Sequence, residues 1–247
     1  MTTTDTRPPT DQRKLGLVGT AVEPHIRELQ RGYREDRADA VSAVARIRRG
    51  AGRSVAEAVD LWGVTGMERL YQEQALRGAA AEEAENAFHA AITLWALHQQ
   101  AHRESGMHRR GGWQLGGAVR RLMPTNDIDE AVRMRFVRLG SSSSFDLLSQ
   151  RLREIVLLLR RGDGIPLDYG VLADQLFQWQ RPDGRTAVRR AWGHSFHAAW
   201  SGDQASATGT SESTSADPTD PTDPTASNST ATTATATATA TADKDAS

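Results

Sequence analysis

The chain has 247 residues, no cysteine and a formal net charge of −1, with 38% hydrophobic and 25% charged residues. That excludes a disulfide framework, a thiolate metal site and a cysteine nucleophile. No apolar run approaches the roughly 18 residues of a membrane span, and the N-terminus lacks the apolar core of a secretion signal, so the protein is expected to be cytoplasmic.

Residues 1–12 are polar and rich in Thr and Pro, and read as a flexible N-terminus. The pattern predicts a first helix from Pro24 through Ile26 and Leu29 towards Tyr33, proline being acceptable in a first helical turn. A second helix is predicted from Arg37 to Arg49, with Val41, Val44 and Ile47 inward and Gly50 as its stop. Ser54 and Glu57 form a capping-box pattern ahead of a short helix through Leu61 and Trp62. Ala79 to His102 is strongly helical, with Ala84, Phe88, Ala91, Trp95 and His98 on one face. From Met107 to Met123 a glycine- and arginine-rich loop leads into a short helix, Leu115 to Leu122. This segment is the expected boundary between two packed helical halves, 13–105 and 106–200.

In the second half, Asp127 and Glu130 are expected to cap a helix from Ile128 to Leu139, with Ile128, Val132, Phe136 and Leu139 as its apolar stripe. The stretch from Ser143 to Trp179 carries the longest amphipathic pattern and reads as the element around which the chain is organised. Leu148, Leu152, Ile155, Val156 and Leu159 fall within an arc of roughly 100°. Ser143 is the expected cap, Gly162 and Gly164 the stop, and Asp168 the cap of a second helix through Leu172, Leu176 and Phe177, giving a helical hairpin. After a turn at Arg181–Gly184, a last helix presents Val188, Trp192, Phe196 and Trp200. No period-2 strand pattern occurs, so the expected class is an all-α helical bundle.

Beyond Trp200 the composition changes to Ser, Thr, Ala, Asp and Pro with DPT repeats and a Thr-Ala alternation. Residues 201–247 cannot bury enough apolar surface to offset their ordering entropy and read as a disordered tail. The tail holds seven of the 31 acids and a single base, Lys244. The body is therefore basic, with 29 bases against 24 acids, and Lys14 is its only lysine.

The sequence carries no phosphate-binding GxxxxGK[ST], no GxGxxG after a strand and no GxSxG elbow, and no catalytic residue is assigned. His98 and His102 have the i, i+4 spacing of metal ligands, but no HExxH surrounds them. His98 reads instead as a core histidine with a satisfied hydrogen bond, as do His194 and His197 on the last helix; no metal site is assigned. The arginines cluster, most of them at helix ends or beside glycines: Arg46, Arg48, Arg49 and Arg53; Arg109, Arg110, Arg120 and Arg121; Arg133, Arg135 and Arg138; and Arg151, Arg153, Arg160 and Arg161. Arginine there suits bidentate contact with phosphate, helped by backbone N–H groups. Arg135 falls in the apolar arc of its helix and is expected to be partly buried against a carboxylate. Without a base-reading motif, such binding would be to backbone and shape. A helical adaptor whose arginines meet acidic protein partners is the alternative.

RIRRG (Arg46–Gly50), ALHQQAH (Ala96–His102), LGGAVRRL (Leu115–Leu122), the run from Arg133 to Trp179 and VRRAWGHSF (Val188–Phe196) together resemble the small subunit, CasB, of the type I-E CRISPR Cascade surveillance complex. The resemblance spans Ala38 to Trp200 and leaves the first twelve residues and the tail without counterpart. It implies an all-helical, non-catalytic protein of antiviral defence without a cofactor. It further implies a second copy and the other Cascade subunits as partners, contact with guide RNA and target DNA, and stabilisation of the R-loop. By position, Arg48, Arg49, Arg120, Arg121 and the arginines from Arg133 to Arg138 carry over as nucleic-acid contacts; Arg109 and Arg110 rest on charge and their glycine neighbours.

Overall fold

The computed structural model describes residues 14–72, 76–161 and 164–209, with side chains through Ser201. The expectations for residues 1–12, for Gly162 and for most of the tail lie outside the described residues. In order come α1 (Leu17–Arg34), α2 (Ala38–Ile47), α3 (Ala79–Gln99), β1 (His108–Trp113), α4 (Leu115–Arg121), α5 (Glu130–Gly140), α6 (Phe145–Leu159), α7 (Tyr169–Gln180) and α8 (Gly184–Gly209), with short 3-10 turns between α2 and α3. The fold is an all-α bundle, as the patterning predicts. The backbone of α8 continues past the compositional break at Trp200.

Four helices gather on α3, while α4, α5 and α8 pack around the 143–179 stretch and each other. Every residue from Ala87 to Gln99 is buried, and α1, α2, α6 and α7 all pack on this helix. An all-round apolar helix is a buried one, and the alanines at 84, 87, 90, 91 and 96 let several neighbours approach it at once. The α6 stripe behaves as predicted: Leu148, Leu152, Ile155, Val156 and Leu159 are all buried. The main neighbour of both α6 and α7, however, is α3, so the predicted hairpin is two helices laid on a common third. Gly164 turns the chain between them at φ +67°, and Ile165 N–H donates back to the Leu159 carbonyl at 2.9 Å.

Several helix boundaries differ from the sequence reading. α1 begins at Leu17, well before Pro24, and continues through the proline although that residue brings no N–H to the ladder. Its N-terminus has no local side-chain cap. Asp174 of α7 supplies one from across the core, accepting from Gly16 N at 2.7 Å and Gly19 N at 2.8 Å. Asp129, not Asp127, caps α5, and Ser144, not Ser143, caps α6. The Ser54–Glu57 box forms reciprocally, Ser54 N to Glu57 Oε2 at 3.0 Å and Glu57 N to Ser54 Oγ at 3.3 Å, yet only turns and the 3-10 segment Val59–Leu61 follow it. Asp168 caps α7 as predicted, accepting from Gly170 N and Val171 N.

The LGG of the α4 motif is a packing device. A Cβ on Gly116 would lie 1.9 Å from the Trp192 carbonyl oxygen, so only glycine lets α4 and α8 approach this closely. Where the glycines and arginines predict a loop, the chain forms β1. Its two ends, His108 and Trp113, both bridge to Leu167, so Arg109–Gly112 form an excursion pinched at its base rather than an alternating strand.

Candidate nucleic-acid interface

The arginines of the second helix are aimed by their buried neighbours. Ile47 is buried, and a Cβ on the buried Gly50 would press on Leu61 and Thr93, so the 3-10 turn Arg48–Gly50 is held against α3. That anchoring leaves Arg46 and Arg49 exposed. Arg48 is half-buried and donates to the Ala45 carbonyl at 3.3 Å. Arg53 pairs with Asp60 at 3.1 Å.

This turn leans on α6 through Gly52, whose φ of +84° places its α-carbon against Arg153; a Cβ there would lie 3.0 Å from Arg153 Cδ. Two residues earlier on α6, and so on a different face of it, Arg151 donates to Ser142 Oγ at 3.2 Å and to the Arg138 carbonyl at the end of α5. The contacts thus link the Arg48–Gly50 turn, α6 and α5. Across these linked elements Arg46, Arg49, Arg153, Arg135 and Arg138 are exposed, and none of the five meets a carboxylate among the described residues. Arg135 corrects the expectation of partial burial: it donates to the Ala131 carbonyl at 3.2 Å on the outer face of α5. Such unneutralised guanidinium groups can contact phosphates without reading bases.

The remaining candidates are placed differently. Arg133 is held bidentately by Glu130, both bonds at 2.6 Å, which draws that carboxyl below its usual range. Arg121 stacks over Trp113 at 5.5 Å. Arg110 bonds Asp168 Oδ2 at 3.1 Å, and that same oxygen takes Gly111 N at 2.8 Å, so Arg110 helps lock the β1 excursion. Arg109 is exposed on that excursion. It lines a depression of about 340 Å³ with Arg34 and Gln30 of α1, and Gln30 grips the backbone N–H and C=O of His108 at 2.8 and 3.0 Å.

Arg120 requires a correction, because its relative exposure is 0%. Its guanidinium donates to the carbonyls of Pro124 at 2.8 Å and Thr125 at 2.6 Å and lies 4.1 Å from the Trp200 ring centroid. Arg120 closes the turn after α4 and does not reach a ligand in this fold. Conversely, Arg27, Arg31 and Arg34 of α1 line a groove of about 700 Å³ that the sequence reading missed. Each stands alone in the sequence, and only the spacing of 4 and 3 residues, once the helix is known, gathers them on one face.

The histidine pair divides. His98 is fully buried and its Nδ1 lies 2.9 Å from Tyr169 Oη, while His102 Nε2 faces the Arg160 carbonyl at 2.9 Å. Desolvation pushes His98 down to about 3. His194 and His197 are exposed, contrary to the core placement expected of them, because the buried face of α8 runs through Val188, Trp192 and Ala199. No group of three or more metal-ligating side chains converges among the described residues.

Comparison with known proteins matches residues 43–197 to the family of the CRISPR-associated protein Cse2. The crystal structure of CasB from Thermobifida fusca is 52% identical, covering 74% of this chain and 99% of that one, with a TM-score of 0.67. The Cse2-family protein of Thermus thermophilus shares the fold at 22% identity, covering 71% of this chain and 97% of that one, with a TM-score of 0.50. A chain of a CRISPR RNA-guided surveillance complex does so at 18% identity, covering 77% and 99%, with a TM-score of 0.55. Among curated proteins none matches.

Proposed function

The chain belongs to the CRISPR-associated Cse2 family, and from that premise we propose that it is the non-catalytic small subunit of a type I-E Cascade complex. In this reading it works beside the other Cascade subunits and a second copy of itself, in the cytoplasm, with guide RNA and target DNA as its nucleic-acid partners. The observation that carries the reading is the 52% identity to a CasB over 99% of that protein's length. The linked exposed arginines, Arg46, Arg49, Arg153, Arg135 and Arg138, agree with it: in RNA-guided recognition, base pairing reads sequence and the protein offers a positive surface that follows strands. That surface stabilises the opened DNA of the R-loop. Of the residues first singled out, Arg46, Arg48, Arg49, Arg109, Arg135 and Arg138 remain the proposed contacts, joined by Arg153. Among the described residues no helix is long and apolar enough to cross a membrane.

The test is to express the tagged full-length chain in its native host, purify it gently and sequence the RNA that accompanies it. Repeat-derived guide RNA together with other Cascade subunits is the expected result. Protein partners alone, unaffected by nuclease, would overturn the reading in favour of a helical adaptor whose arginines meet acidic protein surfaces.

A further inference from the structure

Between the Arg48–Gly50 turn and α3 the chain displays large apolar side chains that the described residues leave exposed. Trp62 is 72% exposed, Val59 54% and Tyr71 45%. Exposed tryptophan at this level is uncommon, and aromatic side chains are enriched where proteins dock. Trp62 edges a groove of about 480 Å³ whose walls include Val55, Leu61 and Met67, room for one or two large apolar side chains. The same walls carry Glu68 and Glu85 and no lysine or arginine. Glu57 and Asp60, both exposed, flank it in sequence; the nearby bases Arg53 and Arg69 are paired with Asp60 and Glu28, and Glu85 accepts from the Tyr71 hydroxyl.

We propose that this groove is a docking site for a segment of a partner protein that presents apolar side chains flanked by lysine or arginine. The apolar floor supplies the affinity and the acidic wall selects the sign of the flanks. Base stacking on Trp62 is the competing use of an exposed indole, but a phosphate backbone would have to approach Glu68 and Glu85, a like-charge contact that costs free energy. The site therefore differs in kind from the arginine surface, and it does not depend on the Cascade reading.

The test uses indole fluorescence of the full chain. Trp95, Trp179 and Trp192 are buried and Trp113 and Trp200 half-buried, so quenching by external solutes reports chiefly on Trp62. Two synthetic amphipathic helices are titrated, one with leucine on one face and lysine on the other and one with leucine and glutamate so placed, alongside an oligo(dT) strand. The leucine–lysine peptide is expected to bind saturably and to shield Trp62. Read by the anisotropy of a fluorescein-labelled leucine–lysine peptide, Trp62→Ser or the pair Glu68→Lys/Glu85→Lys should each weaken that binding by at least about tenfold, as for a hot-spot residue, with thermal unfolding unchanged. The proposal is overturned if both peptides bind alike, if the variants bind as well as the parent, or if oligo(dT) shields Trp62 and the cationic peptide does not. It is also overturned if Trp62 is shielded at rising protein concentration alone and sedimentation shows a dimer that Trp62→Ser dissociates, since the occupant would then be a second copy. The failure of co-purification with guide RNA would leave these outcomes unaffected.

Discussion

Replacing Arg120 with alanine separates the buried structural arginines from the exposed ones. The side chain is fully buried, donates to two carbonyls at 2.8 and 2.6 Å and lies over Trp200. Hydrogen bonds from a charged donor contribute about 1.5–3 kcal/mol each, and the cation–π contact about 0.5–2 kcal/mol. Pro124 and Thr125 are exposed, so their carbonyls regain water, and the guanidinium's own desolvation cost disappears with it. The net loss expected is about 2–4 kcal/mol, which for a body of this size lowers Tm by roughly 2–4 °C per kcal/mol. Arg49→Ala and Arg153→Ala, both at exposed positions, should stay within about 0.5 kcal/mol of wild type. Their effect should instead appear in binding to a single-stranded oligonucleotide, where the slope of log K against log salt falls by about 0.7 per lost phosphate contact. Urea denaturation and salt-dependent anisotropy on the same three proteins give both readings. If Arg120→Ala kept wild-type stability and lost salt slope, or the other two unfolded early with slope intact, the division drawn from burial would be wrong.

Asp174→Ala removes the cap that α7 lends to α1 and should cost about 1–2 kcal/mol, read as a lower urea midpoint with an unchanged m-value; equal midpoints would show that Gly16 and Gly19 find water instead. His98 predicts an acid limit. Its folded pKa is depressed from 6.5 to about 3, so the unfolded state binds the extra proton between those values. Stability is fully present above about pH 6.5 and falls as pH drops towards 3, by up to about 5 kcal/mol at about 1.4 kcal/mol per unit. His25 and His89, also lowered mainly by burial, act in the same direction. In His98→Gln the urea midpoint should fall less steeply between pH 6.5 and 4; an unchanged pH dependence would refute the assignment.

Local chemistry made much of this protein legible from sequence. The period of Leu148, Leu152, Ile155, Val156 and Leu159 gave the buried stripe of α6, and the capping chemistry of Asp168 placed the start of α7, because both depend on residues within a few positions of one another. The same locality leaves Arg46 and Arg49 exposed, since Ile47 and Gly50 face inward. What depends on distant partners was not readable. Only α7 folded against α1 brings Asp174 to the bare N-terminus at Gly16. Only α8 brings Trp200 over Arg120, turning one member of an apparently basic pair into core, while Arg153 gains significance because Gly52 leans on it. Charge in the sequence marks which residues could meet an anion, but burial decides which of them are free to, and burial is set largely by contacts whose partners lie tens of residues away.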